Sequence, residues 1–474
     1  MYVFMQFLNC CILMGLLLFA YIYWDDNNHH INDWATILSG FSLILIIYQI
    51  LVMRIRSISL LDVKLIFIAF AHLFLFGQIY LLAFGYGNEL FYNVILRYPS
   101  TLIFKAGLFS ICYVQAIFIG FMYSPKTKSN SKLFLKDASE ALVKRLMYKT
   151  GIILFVLATP FKLYVDIMNV FLAQTSASYI AVVSVSGVST DIAILFVPSI
   201  LLIICSEQFS KIINKYWLWS AVSYLLIIMV LTGDRRYYVT AIIAMLLCFM
   251  RLYKTKIKLR EIIKIGIIAT LLLNFLAVIR TMRLHSLTSV GNFIYTYWKE
   301  MVAYNPIFET LNEFGVTILS VAFPIKYIPS IFSYQYGLSF YGAIPSLLPI
   351  GWLLTDFFNE VSMTTLLNPI EGYPVGGSLP GDLYANFGWW GILGAIIFGV
   401  ILSKVFVIHE NKNNNFNIAI CYSAFYILIN LTRATFIEIF RNVFIVILVP
   451  MLLMYVLKGS IKRGVQHIDT NRQI

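Results

Sequence analysis

Charge is scarce in this sequence. Of 474 residues only 12% are Asp, Glu, Lys or Arg, whereas a soluble domain carries about twice that share; a chain wetted over its whole surface is excluded. Cysteine is equally sparse. Cys10, Cys11, Cys112, Cys205, Cys248 and Cys421 all lie in apolar runs, and their spacing fits neither a disulfide framework nor a metal site. A thiol in such a run behaves as a small hydrophobe. No glycine-rich loop ending in Lys followed by Ser or Thr occurs, so the common cradle for nucleotide phosphates is absent. No basic residue precedes the first apolar run and no small-residue cleavage site follows it, so that run reads as a retained helix. Histidine offers one pair, His29 and His30, in W-D-D-N-N-H-H-I-N-D beside Asp25 and Asp26. A solvated loop is the better reading of it than a cation site.

What the chain does have is apolar length. It is 60% hydrophobic with a mean hydropathy of +0.83, and its apolar residues run on without the period of a soluble helix or strand. Crossing about 30 Å of hydrocarbon takes about 20 residues of helix. That ruler places about twelve spans, near 3–23, 34–53, 65–85, 101–123, 150–171, 191–209, 216–232, 237–253, 262–279, 384–405, 417–432 and 442–458. The expected fold is all-α, a polytopic transmembrane bundle forming a single integral-membrane domain over residues 1–474. Alternate loops then collect 24 of the 35 Lys and Arg residues on one side, against nine on the other. The crowded side is the cytoplasm, and both termini fall on it. The net charge of +13 is accounted for by this bias and implies no nucleic acid partner. One connection is unlike the rest: residues 280–383 form an external segment of about a hundred residues, far beyond ordinary loop length. Its apolar runs near 314–333 and 343–354 are Pro-broken and too short to span, so they are expected as re-entrant or interfacial helices.

Arginine on the outer side runs against the positive-inside bias and needs a reason. Arg235 and Arg236 sit in the turn T-G-D-R-R-Y-Y, where Gly233 permits the bend and Asp234 is a nearby counter-charge. Arg280 and Arg283, with His285, follow a span in A-V-I-R-T-M-R-L-H-S and share a face if the helix continues. Arg433 and Arg441 bracket R-A-T-F-I-E-I-F-R-N, with Glu438 three residues before the second. Each pair has a bland reading, headgroup snorkelling or a surface Arg–Glu pair. Taken together they suggest one polyanion at the outer face, a lipid diphosphate, because guanidinium forks bind phosphate oxygens bidentately at any physiological pH. Among the carboxylates, Asp382 follows G-S-L-P-G at the mouth of the span beginning at Tyr384. It is either a general base or the N-cap of that helix. Glu309 and Glu313 are reserves, as is His285. Tyr336, Tyr384 and the other aromatics of the long segment either stack on sugars or anchor it at the interface. Gly388, Gly391 and Gly394 recur every third residue and read as helix packing. A lipid-oligosaccharide flippase is the rival class, but cationic residues at external span ends and one unrepeated long loop weigh against it.

The T-G-D-R-R-Y turn, the external Arg after the next span, and the run G-Y-P-V-G-G-S-L-P-G-D-L-Y-A-N-F-G-W-W-G-I-L-G-A from Gly372 to Ala395 resemble the O-antigen polymerase family over roughly residues 190–405. Arg280 and Gly291, with ten residues between them, match a family spacing. The second copy of that spacing departs from it, with Lys326 in place of Arg before Gly337. The resemblance implies a GT-C-type architecture and a metal-independent glycosyltransferase without a cofactor. It would extend lipid-linked oligosaccharide repeats on polyprenyl diphosphate at the bacterial cytoplasmic membrane. It also implies the lipid bilayer, a chain-length regulator and a flippase as partners, with the O-antigen ligases as near neighbours. In that scheme Asp382, Arg280, Arg283, His285 and Glu313 are the catalytic candidates. Arg235, Arg236, Gly291, Glu309, Tyr336, Tyr384, Arg433 and Arg441 would bind diphosphate or sugar, and no metal ligand is assigned.

Overall fold

A computed structural model describes residues 2–24, 31–56, 58–59, 61–86, 94–123, 140–175, 187–232, 236–253, 295, 299, 306–348, 354–407 and 415–471. The described chain is helical, with no strand among these residues. In order the helices are α1 (Tyr2–Tyr23), α2 (Ile31–Ile55), α3 (Val63–Ala83), α4 (Ser100–Met122), α5 (Glu140–Thr175), α6 (Val188–Ala193), α7 (Phe196–Cys205), α8 (Lys211–Thr232) and α9 (Arg236–Leu252). There follow α10 (Pro306–Gly315), α11 (Leu319–Tyr327), α12 (Leu338–Gly342), α13 (Thr355–Val361), α14 (Met363–Glu371), α15 (Leu379–Phe387), α16 (Gly391–Val407), α17 (Asn415–Leu428) and α18 (Phe436–Asn471).

Ten helical stretches among the described residues are long and apolar enough to cross a membrane, and they fall on ten of the twelve expected spans. Of the other two, 237–253 is α9, which at 17 residues is a little short; 262–279 lies outside the described residues. One boundary differs in a way that matters. The span expected from Tyr384 starts at Leu379, where Ser378 caps the helix by accepting from Gly381 N at 3.1 Å. Asp382 is therefore inside the first turn of α15 and is not its cap.

The chain divides into two compact units. The first comprises residues 1–126, 257–404 and 431–438. Its interior is α3 and α4, with 78% and 94% of their apolar windows buried, while α1 is only 22% buried and shows most of its surface outward, as a lipid-facing helix does. Helices α10 and α11, joined by a 3₁₀ turn at Val316–Ile318, belong to this core: Phe314, Ile318, Val321, Ala322 and Phe323 are all 6% exposed or less. Helix α10 runs antiparallel to α3, as the pairings Tyr86–Phe308, Gln78–Asn312 and Phe74–Phe314 show. The two backbones cross at glycine. A Cβ on Gly77 would stand 2.3 Å from the Leu311 carbonyl, and one on Gly315 would stand 2.0 Å from Gln78 N. Residues 306–327 of the long segment thus pack in the core of their unit, held by small residues at the crossing.

The second unit comprises residues 127–256, 405–430 and 439–474. Helix α17 is its buried centre, at 89%. The Tyr426 hydroxyl donates to Ile194 O (2.9 Å) and Asn430 Nδ2 to Thr240 Oγ1 (3.3 Å). Cys205 and Cys248 face each other with sulfurs 3.4 Å apart. Asp166, 1% exposed, pairs within the helix layer with Lys162 Nζ (2.8 Å) and accepts from the hydroxyls of Tyr224 and Tyr238. Charge in an apolar setting requires such pairing.

Candidate functional site

The first unit gathers several of the residues singled out above around the start of α15. Gly381 lets that start approach α11 closely, since a Cβ there would lie 2.2 Å from the Ser320 carbonyl. Gly377 does the same for the segment before α18, where a Cβ would meet Thr435 Cγ2 at 2.2 Å and Thr435 N at 3.0 Å. With the cap supplied by Ser378, the Asp382 carboxylate is directed to another segment: Oδ2 accepts the backbone N–H of Phe436 at 2.7 Å. Oδ1 accepts no hydrogen bond from the described residues, and Asp382 is 5% exposed. Phe436 is locked in turn by Phe340 (4.9 Å between centroids) and Phe398 (5.2 Å).

Arg433 begins this segment. Its guanidinium lies over the rings of Phe74 (5.9 Å) and Phe314 (5.7 Å), one from α3 and one from α10, a cation–π seat for the group. Glu313 stands beside Phe314 on α10 and is half-buried; Glu309 is on the same helix. One small region therefore holds Asp382, Arg433 and the residue next to Glu313.

The tyrosines separate into two kinds. Tyr384 is 5% exposed and packed against Phe109 (5.2 Å) and Tyr334 (6.5 Å), so it is a wall of the core. Tyr336 is 75% exposed and has a positive φ of 48°, a conformation a non-glycine residue holds only when its surroundings impose it. They are visible. Tyr336 N donates to Asn386 O (3.1 Å), Gln335 N to Ala385 O (3.1 Å) and Gly337 N to Asn386 Oδ1 (2.8 Å). Asn386 Nδ2 donates onward to Ser339 Oγ (2.6 Å) and Asp382 O (2.7 Å). The strap 335–339 thus satisfies the terminal carbonyls of α15. Gly388, at φ 56°, ends that helix, whereas Gly391 and Gly394 pack back on Leu383. All three thus serve packing: Gly391 and Gly394 against the helix just before them, and Gly388 against Tyr334, whose hydroxyl an added Cβ would meet at 3.0 Å.

Two further arginines belong to the second unit. Arg236 opens α9 and lies over the Tyr237 ring at 4.7 Å, donating to its hydroxyl at 3.0 Å. Arg441, on α18, pairs with Asp191 of α6, a partner that sequence spacing does not reveal because they are 250 positions apart. Arg235, Arg280, Arg283, His285 and Gly291 lie outside the described residues, as do Gly233, Asp234, His29 and His30. Sequence reasoning missed Asp191, Asn386 and the Lys162–Asp166 pair. Only the last carried a local signal, opposite charges four apart within an apolar helix.

Ten apolar helices of spanning length among the described residues, with buried ionisable side chains between them, define an all-α polytopic membrane protein. The sequence model of one family, described as O-antigen polysaccharide polymerase Wzy, matches residues 5–463, and the chain belongs to that family. The match covers nearly the whole chain, well beyond the region of resemblance at 190–405. No curated protein and no solved structure matches it.

Proposed function

We propose that the chain polymerises a bacterial surface polysaccharide at the inner membrane, moving the growing glycan from its polyprenyl diphosphate onto the nonreducing end of a fresh lipid-linked repeat unit. Family membership supports the polymerase and the lipid-linked substrate. The observation that carries the site is the tie between Asp382 and the segment opened by Arg433, made by Phe436 N–H at 2.7 Å. In the reaction, the acceptor hydroxyl oxygen bonds to the anomeric carbon of the growing chain. The bond from that carbon to the diphosphate oxygen breaks, and its electron pair leaves with the lipid diphosphate. Asp382 Oδ1 takes the hydroxyl proton, while Phe436 N–H holds Oδ2 and orients the carboxylate. Arginine charge already in place where negative charge builds up on the leaving group lowers the barrier without a metal ion.

Arg433 serves that role, seated on two phenylalanines. Arg280 and Arg283 are assigned to the diphosphate, and His285 and Glu313 to the acceptor, from their places in the sequence alone. This reading places the long segment outside, both termini in the cytoplasm, and the flippase and chain-length regulator of the same route alongside. The test uses purified protein and a synthetic lipid-linked repeat unit, without metal or nucleotide. Wild type should extend it. Asp382→Asn, which still accepts the Phe436 N–H, should fold normally and lose about 10²–10⁴-fold in rate, the usual worth of a positioned base. Near-normal extension by that variant sinks the assignment of the base. In cells, Arg433→Ala should leave single repeat units on the surface lipid in place of long chains.

A further inference from the structure

A second cluster lies in the first unit at the far end of α11, and the reaction above makes no use of it. Glu371, the last residue of α14, accepts from Lys326 Nζ (3.0 Å) and the Tyr327 hydroxyl (2.6 Å) on Oε1, and from the Tyr98 hydroxyl (3.1 Å) on Oε2. Tyr98 also meets the Tyr373 hydroxyl. The Lys326 ammonium lies 4.5 Å from the Tyr327 ring centre and 5.7 Å from that of Tyr98. Phe323 closes the back, 5.2 Å from Tyr98 and 6.3 Å from Tyr373. None of these side chains lies in a membrane-crossing stretch.

Burial in this cluster is graded. The Glu371 side chain is 8% exposed, whereas that of Lys326 is 37% exposed and Tyr373 is 39% exposed. The carboxylate organises the group from inside, and an ammonium and a phenol present it to water. Burial pushes the Glu371 carboxyl up, but the bonds from Tyr327, Lys326 and Tyr98 outweigh it and hold the group below its ordinary value. Burial also raises the phenols of Tyr98 and Tyr373, so they remain neutral hydroxyls able to donate and accept. The charged pair sums to zero. A surface of ring faces and hydroxyls with no net charge suits a neutral pyranose, which has polar groups around its rim and C–H bonds on its faces.

The cluster also has a fixed relation to Asp382. Ser320 of α11 touches Gly381, and Lys326 stands six residues further along the same helix, about 9 Å at 1.5 Å per residue. We propose that Tyr98, Lys326, Glu371 and Tyr373 form a saccharide subsite, holding a neutral pyranose of the lipid-linked glycan about 9 Å along α11 from the point where Ser320 meets Gly381, the neighbour of Asp382. It rests on the polymerase reading, and it selects which glycan is extended.

The test separates binding from polymerisation. The oligosaccharide repeat unit of the host strain, released from its carrier by mild acid, is titrated onto the purified full chain and followed by saturation-transfer NMR. Lys326→Ala and Tyr373→Ala should each weaken binding by about tenfold, equivalent to about 1.4 kcal/mol, and melting of each purified variant separates this loss from a loss of folding. In extension assays the same variants should raise KM for the lipid-linked repeat and leave kcat within about twofold, whereas Asp382→Asn should lower kcat and bind the free oligosaccharide normally. Tyr373→Phe, keeping the ring, should retain part of the affinity. Binding of both alanine variants within twofold of wild type overturns the subsite, as does a fall in kcat at unchanged KM. A wild type that binds the oligosaccharide at these residues yet never extends the lipid-linked form overturns the polymerase reading and leaves the subsite standing.

Discussion

Adding one methyl group at Gly381 tests how tightly the region around Asp382 is defined. The new Cβ would lie 2.2 Å from the Ser320 carbonyl oxygen, and real Cβ contacts essentially never fall below 3.0 Å. Helix α15 and α11 must therefore open by about 0.8 Å, against a backbone atom that has no rotamer to change. Overpacking of this kind costs about 1–3 kcal/mol. If the opening is taken up on the α15 side, the Asp382–Phe436 bond lengthens from 2.7 Å toward about 3.5 Å, beyond the ordinary N–H···O range. A reacting group misplaced by about 1 Å loses about 10²-fold in rate. Gly376→Ala is the matched control, since nothing lies within 4 Å of its added Cβ and its φ is ordinary. Both variants are scored by the length distribution of surface polysaccharide on gels and by melting of the purified protein in detergent. Gly381→Ala should shorten or abolish the ladder and lower the melting temperature, and Gly376→Ala should change neither. If the two variants match wild type equally, the close approach of α15 to α11 is wrong, and with it the placement of Asp382.

Other outcomes follow from the same geometry. Reversing Arg441 and Asp191 to Asp and Arg should recover most of the stability lost in Arg441→Ala, with a coupling of about 1 kcal/mol in a double-mutant cycle; no coupling would mean the pair does not form. The Glu371 carboxyl is held below its ordinary value, so its stabilisation is present above that value and is lost as pH falls through the lowered one. Burial opposes the charge on Lys326, yet its bonds to Tyr327 and Glu371 raise it above the ordinary value, so its share persists until pH rises through that raised value. The melting-temperature gap between wild type and Glu371→Gln should thus stay level from mildly acid to mildly alkaline pH and close on strong acidification. A gap that widens in acid contradicts the ion pair.

Hydropathy placed ten of the apolar spans because a membrane crossing is a local sum over about 20 residues. Boundaries were less legible. Tyr384 read as the start of a span because G-S-L-P-G looks like loop, yet Ser378 supplies a cap and Pro380 fits the first turn, so the helix begins at Leu379. The apolar runs of the long segment read as re-entrant or interfacial helices because they are short and Pro-broken, with no local sign of what they pack against. Gly77 and Gly315 let α10 cross α3 at backbone distance, and that is a property of two segments far apart in the chain.

The residues themselves determined that this is an all-helical membrane protein and that Asp382 is worth watching, since each follows from composition or spacing within one stretch. The tertiary structure alone decided what those residues meet. Asp382 reaches Phe436 across 54 positions, Lys326 reaches Glu371 across 45 and Arg441 reaches Asp191 across 250. A carboxylate at a helix start has the same local sequence whether it caps its own helix or binds another segment. The choice is made by which backbone N–H the packing brings within 3 Å, and for Asp382 that packing depends on two glycines whose missing side chains let three segments close on one another.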